Sequence, residues 1–465
     1  SMAPLKFTAE KTGSGTLYRG KASANAPFCD SSHAKLWSAE PEDPEPVVNV
    51  TSAVPMAEEP TGARMHEVAH HGLTNLGHHG KMGSMGVPRK GLLFWDDIQI
   101  GPAQRTRKPL LDHADVATSV TIGPRASKPL EVDIPLCVSE MSFGALSEEA
   151  RIALARAAEL AHTDICSGES GMPAEEQAEN SQHLYELASA QFSWNPALVE
   201  TVQAFNFKGG QGAKTEAGGH FFEEKIAGEI AEVRCLTPGQ DAISLANFVD
   251  LQTPSDFRKL GNAGRERSGG IPVVFKLSAD HIDHDIDFAL EAGADYIILD
   301  GRDGGTGVPP LIFRNYIFVP TIPALARARK RPDAKTGREV SLVITVGLQL
   351  AEGFVKAKAL GADAIAFSNS AMQAVGYIAA RMCNSNKCPV GVATQKPELR
   401  KHVNVPARAK PLTRYFGASV ALIQVLARTC GRNALNQFTP SDITTWHREI
   451  ADLCIISFAG LNRDR

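Results

Sequence analysis

The chain reads as an α/β protein: a (β/α)8 TIM barrel with an irregular N-terminal arm and a short helical C-terminal tail. Three observations carry that expectation. From about Val132 to Ser368, short β-rich runs alternate with amphipathic helical stretches. Two of the helices end in Gly-Ala-Asp, at Gly293-Ala294-Asp295 and Gly361-Ala362-Asp363, directly before a β-rich run. A glycine helix stop followed by a buried parallel strand is a repeating αβ signal. About eight such units in roughly 260 residues suit a closed barrel, with a doubly wound sheet as the alternative. The expected partition is 1–110 for the arm and irregular segment, 111–410 for the barrel and 411–465 for the tail.

Composition sets the outer limits. The 465 residues are 43% hydrophobic and 22% charged, long enough to bury a large core. A formal net charge of −4, with no basic stripe interleaved with aromatics, argues against nucleic-acid binding. The eight cysteines are scattered apart from Cys383 and Cys388, which fits a reducing compartment better than a disulfide framework. No run of 18 apolar residues and no signal-peptide pattern appears. The expectation is cytoplasmic, with a membrane or targeting segment ahead of Ser1-Met2 as the alternative.

In the arm, Ala39 to Pro46 is acidic and Pro-rich and reads as extended. A His-rich patch follows, with His66, His70, His71, His78 and His79. His66 and His70 are spaced to share a helix face. No carboxylate or cysteine stands at a convincing ligand spacing, so the patch reads as solvated or as an interface. Strands are expected at Val132–Val138, Thr163–Cys166, Val202–Lys208, Ala242–Leu245, Val273–Leu277, Tyr296–Asp300, Leu342–Val346 and Ala364–Ser368. Helices are expected from Ser147 and at Phe222–Val233, Ile282–Ala292 and Glu352–Leu360, with a helical tail from about Ala418 to Leu453.

In a barrel the chemistry belongs at the C-terminal ends of the strands. The polar and glycine-rich segments fall there. Ser142-Phe143-Gly144 follows the first strand and Ser167 to Gly171 the second. Lys208 to Gly219 follows the third, and Lys276 ends the fifth. The stretch LDGRDGGTGVPP, Leu299 to Pro310, follows the sixth; Gly347 follows the seventh and Ser368-Asn369-Ser370 the eighth. Glycines in that stretch suit a backbone that approaches something flat or anionic closely. Barrels often bind phosphate after strands seven and eight, so a phosphate-bearing cofactor across the mouth is the simplest reading.

Five of these segments together resemble the flavin-binding synthase domain of glutamate synthase. They are Met141 to Ser147 (MSFGALS), Ser167 to Gly171 (SGESG), Lys208 to Lys214 (KGGQGAK), Asp303 to Gly307 (DGGTG) and Cys388 to Gln395 (CPVGVATQ). The resemblance implies an FMN-containing barrel in which reduced flavin delivers hydride to 2-iminoglutarate, made from 2-oxoglutarate and ammonia. It implies FMN contacts from Met141, Ser142, Phe143, Gly144, Ser167, Gln211, Lys276, Asp303, Gly304, Gly305, Gly347, Ser368, Asn369 and Ser370. Catalytic roles fall to Glu169, Lys208 and Lys214, and substrate contacts to Lys214, Asp300 and Arg302. Lysines at strand ends suit a dicarboxylate or the flavin N1–C2=O edge, and a carboxyl such as Glu169 suits acid–base chemistry on an imine.

The chain departs from the family in several places. The family ligates a [3Fe–4S] cluster through three cysteines; Cys383 and Cys388 hold the last two positions, and Tyr377 stands at the first. Two thiolates do not complete such a cluster, so it is not expected. No glutaminase nucleophile is present at the N-terminus, which points to ammonia or another amine from solution or from an amidotransferase subunit. An electron-donor subunit and a homo-oligomer are further expected partners. Asp300 replaces the usual Ser, and acid at the mouth disfavours a dicarboxylate. Three readings follow: imine reduction with ammonia or a small amine, an N-methylglutamate synthase-type subunit using methylamine, and a non-catalytic flavin-binding subunit.

Overall fold

The computed structural model describes residues 61–74, 79–87, 91–169, 171–192, 194–213, 220–221, 229–233, 242–345 and 347–461. The arm at 1–60, His78 and Lys214 lie outside them. The chain divides into two units, 1–80 and 81–465. In the first, the helix Gly62–His71 places the His66 and His70 rings 6.0 Å apart.

The second unit contains a closed barrel of eight parallel strands. They are β1 (Leu136–Val138), β2 (Ile165–Cys166), β3 (His183–Leu187), β4 (Ala204–Lys208), β5 (Val273–Ser278), β6 (Tyr296–Asp300), β7 (Ser341–Thr345) and β8 (Ala364–Phe367). The expected fold class holds, but two of the expected strands need correction. The third strand is His183–Leu187, which carries His183 and Glu186 and so lacks the apolar run of a buried parallel strand. Ala242–Leu245 is no barrel strand: Ala242–Ile243 pairs antiparallel with His220–Phe221 as a hairpin. Lys208 therefore ends the fourth strand rather than following the third. The run expected as one strand, Val132–Val138, is broken by Pro135, which has no N–H to continue a ladder.

Its first half belongs to a hairpin, Val120–Ile122 with Leu130–Val132, whose Ile122, Leu130 and Val132 pack on the inward side chains Leu184, Ala204, Val274, Tyr296 and Ile298. The Gly123 N–H donates to Ser341 Oγ at 3.1 Å, at the start of β7, so this hairpin plugs the N-terminal end of the barrel. Outward residues of the same strands meet the helices. Phe207 meets Phe257 of α2 (Pro254–Ser268) edge-on and Phe275 meets it at a tilt, and Phe257 in turn meets Phe288 of α3 (Ile282–Glu291).

The two Gly-Ala-Asp turns share one mechanism. Gly293 and Gly361 have φ of 89° and 111°, which reverses the chain out of the helix. The aspartate that follows reaches back: Asp295 accepts from the Val273 N–H and Asp363 from the Leu342 N–H, each at 2.8 Å. Arg265 of α2 and Arg329 of α4 (Thr321–Thr336) grip these carboxylates. Each turn therefore ties a helix, a strand start and the neighbouring strand together at the end remote from the site. At the rim, α5 (Ala351–Ala359) and α6 (Asn369–Ala374) follow β7 and β8, and α7 (Val405–Thr429) packs along α1 (Glu148–Leu160), whose first turn is capped by Ser147. Gln99–Ile100 pairs with Ile443–Thr445 in a separate small sheet. Among the described residues no helix is long and apolar enough to cross a membrane.

The plug supplies a test of the closed barrel. Leu130→Ala, at a site only 2% exposed, should cost about 2–5 kcal/mol. The expected readout is a lower urea midpoint at an unchanged m-value; an unchanged midpoint would mean that the hairpin is not packed in the barrel.

Candidate active site

Period-2 alternation decides which side chains enter the barrel. In β4, Phe205 and Phe207 face the helices, so Ala204, Asn206 and Lys208 face inward. Register then aligns them with neighbours, Asn206 with Glu186 of β3, and Lys208 with Lys276 of β5. Asp300 ends β6, and Glu140 lies just past β1. The result is a buried polar layer at the C-terminal mouth, above the apolar interior.

Its charges are paired in two places. Lys276 Nζ donates to Glu140 Oε2 at 2.7 Å, and Ser139 Oγ donates to the same oxygen at 2.7 Å. Lys208 pairs with Glu169, whose other oxygen accepts from Ser244 Oγ at 3.2 Å. Burial draws Glu140 toward the neutral acid, but the Lys276 ammonium and the Ser139 hydroxyl more than reverse this and leave it below the usual range. Burial likewise lowers Lys276, and Glu140, Glu186 and Asp300 more than reverse that, so it stays firmly charged. Two acids remain without a lysine of their own among the described residues. Burial pushes Glu186 up to about 7 and Asp300 up to about 6.

Glycines set the loops above this layer. A Cβ at Gly304 would lie 2.4 Å from Asp300 Oδ1 and 3.0 Å from the Gly212 Cα. The β4 and β6 loops therefore close over Asp300, whose Oδ1 has no hydrogen-bond partner among the described residues. A Cβ at Gly168 would lie 3.0 Å from the Met141 carbonyl carbon, so the β1 and β2 loops also touch. Beneath them, buried Arg151 donates to the Met141 carbonyl oxygen and pairs with Glu176 at 2.5 Å, which also meets His183 at 3.2 Å. This fixed cation anchors the segment that carries Ser142, buried Phe143 and Gly144.

Beside the mouth lie two adjoining clefts, of about 160 and 90 Å³. Asp303, Gly347, Leu348 and Gln349 line both. Ser368, Asn369, Ser370, Gly305 and Arg381 are among the other residues that line the smaller one. Gly347 has φ of 76°, and a Cβ there would stand 3.2 Å from Asp303 Oδ2. Ser370 Oγ donates to the Leu348 carbonyl at 2.7 Å, which holds the start of α6 against the β7 loop. The first N–H groups of that helix have no intrahelical acceptor.

The remaining expected site residues are placed as follows. Ser167 Oγ accepts from the Glu186 N–H at 3.0 Å, joining the second and third strands. Gln211 is half-buried after β4. The Arg302 guanidinium donates to the Asn315 carbonyl. Cys383 and Cys388 are both buried. Tyr377 Oη lies 3.1 Å from Cys383 Sγ and 3.5 Å from Met85 Sδ, so a phenol and a thioether pack on this thiol. Sequence reasoning missed Glu140, Glu186, Asn206, Ser244 and Arg381. Asn206 had a usable signal, two residues before Lys208 on the same strand face. Glu140 adjoins Met141 but is outside the segment that carried the resemblance, Glu186 sits in the overlooked strand, and Arg381 precedes the cysteines.

A barrel with paired charges at its strand ends and clefts beside them belongs to the class of small-molecule barrel enzymes. The model of the conserved region in glutamate synthase matches residues 102–433. A glutamate synthase large subunit-like protein of Rhizobium meliloti is 31% identical over 395 residues, which cover 81% of this chain and 89% of that protein. An archaeal-type glutamate synthase (NADPH) of Thermotoga neapolitana is 31% identical over 375 residues, 76% of this chain and 74% of the relative. Among solved structures, a flavocytochrome b2 variant aligns over 80% of each chain at a TM-score of 0.49 and 15% identity. The chain belongs to the glutamate synthase family.

Two predictions concern the Asp300 loop. The folded pKa of Asp300 lies near 6, above its ordinary value of 3.8, so the native state binds the extra proton between those values. Its contribution is therefore fully present below about pH 4 and is lost as pH rises through about 6, by roughly 3 kcal/mol. Asp300→Asn should remove that slope, gaining stability relative to wild type as pH rises; parallel denaturation curves for the two proteins across this window would contradict it. Gly304→Ala should cost about 1–3 kcal/mol by overpacking, read as a lower melting temperature. No change on that substitution would show that the two loops are not in contact.

Proposed function

We propose that the chain is an FMN-dependent oxidoreductase that reduces the imine formed from a 2-oxo acid and ammonia or a small amine to an amino acid. The observation that carries this reading is the pair of buried ammonium groups, Lys208 and Lys276, on adjacent strands beneath a glycine-lined loop and beside the Gly347–Ser370 cleft. The donor set fits FMN. Amide groups at Gly347 and Ser368 to Ser370, with the Arg381 guanidinium, would hold a phosphate. Asp303 supplies an acceptor for the hydroxyls of a polyol chain, Gly305 keeps the cleft wall free of a side chain beside a planar ring, and Gly304 is assigned to the same wall through its backbone. Bound FMN would supply hydride transfer to the imine carbon.

The chain's own residues bind, orient and handle protons around that chemistry. Lys276 offers positive charge at an electron-rich edge, and Lys208 holds Glu169 at the mouth as the candidate acid–base group. Met141, Ser142, Phe143, Gly144, Ser167 and Gln211 are assigned to the cofactor wall. Lys214, Asp300 and Arg302 are assigned to the substrate, Lys214 on sequence grounds. A [3Fe–4S] cluster does not fit the donor set, since Tyr377 stands at the first ligand position and, with Met85, packs on Cys383. No electron path is routed through one. Electrons then enter from a soluble donor or a partner subunit, and a nicotinamide dinucleotide, named in the Thermotoga relative, is the first to try. An amidotransferase subunit is the matching partner for ammonia.

The test is anaerobic. Protein loaded with FMN should bleach with dithionite and regain its visible bands when a 2-oxo acid is added together with ammonia or methylamine, but not with either alone. Lys208→Met should slow recolouring by about 100-fold or more, since it removes a charge-assisted contact and strands Glu169. Failure to recolour across a panel of oxo acids and amines would sink the catalytic reading and favour a flavin-binding subunit without activity of its own.

A further inference from the structure

Glu186 is a buried acid that the proposed chemistry leaves unused. It is 3% exposed, and among the described residues its side-chain hydrogen-bond partner is Asn206, through Nδ2 at 3.5 Å. The same Nδ2 stands 3.5 Å from Glu140 Oε1, so two carboxyl groups compete for one weak donor. Asn206 Oδ1 beside them is an acceptor without a donor. The other groups facing Glu186 are Cys166 from β2, Glu169 from the β2 loop, Lys208 from β4 and Lys276 from β5. Cys166 Sγ, Glu140 and Glu186 lie within 4.8 Å of one another. Each of the two lysines already sits on another carboxylate, Lys208 on Glu169 and Lys276 on Glu140.

A buried carboxylate with no cation of its own is costly, and a proton removes the cost. That proton also supplies the donor this group of acceptors lacks. We propose that Glu186 is a redox-linked proton site, exchanging one proton with solvent in step with the charge of the cofactor above it. When an external two-electron donor reduces the cofactor, negative charge gained at the mouth favours the neutral acid, and the Glu186 carboxylate takes a proton from solvent. When the imine removes the electrons, the charge falls and the proton returns to solvent. Glu186 touches neither substrate nor reacting atoms in this scheme. It is a positioning residue that acts through the charge of the Glu140–Lys276 and Glu169–Lys208 pairs, and the scheme rests on the FMN reading above.

Infrared spectroscopy of 13C-glutamate-labelled apoprotein reads the proton directly. The expected result is a protonated-carboxyl band near neutral pH that fades on alkaline titration and is missing in Glu186→Gln. Should that variant not fold, the titration of the wild-type band alone decides, and absence of a neutral-pH acid band overturns the proposal. Loaded with FMN, the wild type should show a midpoint potential that falls with pH more steeply than that of Glu186→Gln across the neutral range, by up to one proton per two electrons. Identical infrared spectra for the two proteins, or identical slopes, overturn the proposal. If neither protein retains FMN, the flavin reading itself fails and the redox linkage with it, while the infrared result still stands as a separate measure of the proton.

Discussion

The ion pair between Lys276 and Glu140 is the constraint around which the barrel mouth is arranged. A lysine pointing into a closed barrel has no water to turn to, so a carboxylate must be brought to it from across the mouth. That carboxylate comes from just past β1, and the segment that carries it is pinned in turn by Arg151 on the Met141 carbonyl. Lys208 repeats the solution one strand away with Glu169. Removing either carboxylate would leave an ammonium stranded beneath the loops. The closed sheet is what makes these pairings possible, because its register sets Lys276 beside Lys208 and Asn206 beside Glu186.

Paired charge at one end is matched by apolar packing at the other. The Ile122–Leu130–Val132 plug seals the N-terminal end, and the two Gly-Ala-Asp turns lock strands to helices there. Stability is thus concentrated at the closed end. The open end carries two buried acids without a lysine of their own among the described residues, together with close backbone approaches and clefts, features that favour ligand chemistry over stability. Asp300 belongs to this second group. It lies beneath the Gly212 and Gly304 backbones.

Most of the barrel was legible from periodicity, because β1, β2 and β4 to β8 are dominated by apolar runs with helices between them. The third strand was not, since it carries two polar residues, His183 directed outward to Glu176 and Glu186 directed inward to the mouth layer. Tertiary need overrode the apolar pattern there. The Ala242–Leu245 run failed for the opposite reason: it is apolar and short, and nothing local separates a hairpin strand from a barrel strand. The candidate site was legible wherever glycines or lysines cluster in sequence. Glu140 and Arg381 were not, because their meaning comes from neighbours more than 60 residues away in the chain, such as Lys276 for Glu140 and Met85 for Arg381. The resemblance supplied the expected cofactor, and the folded chain shows how the residues assigned to it are charged and anchored.

The central claim is that the Gly347–Ser370 cleft and Arg381 take the phosphate of a flavin whose ring lies over the lysine layer. Calorimetric titration of the apoprotein with FMN and with riboflavin tests this most directly, since the two ligands differ only in the phosphate. Two charge-assisted contacts of about 1.5 kcal/mol each predict FMN binding roughly 100-fold tighter than riboflavin. Equal affinities, or no binding of either, would contradict the account.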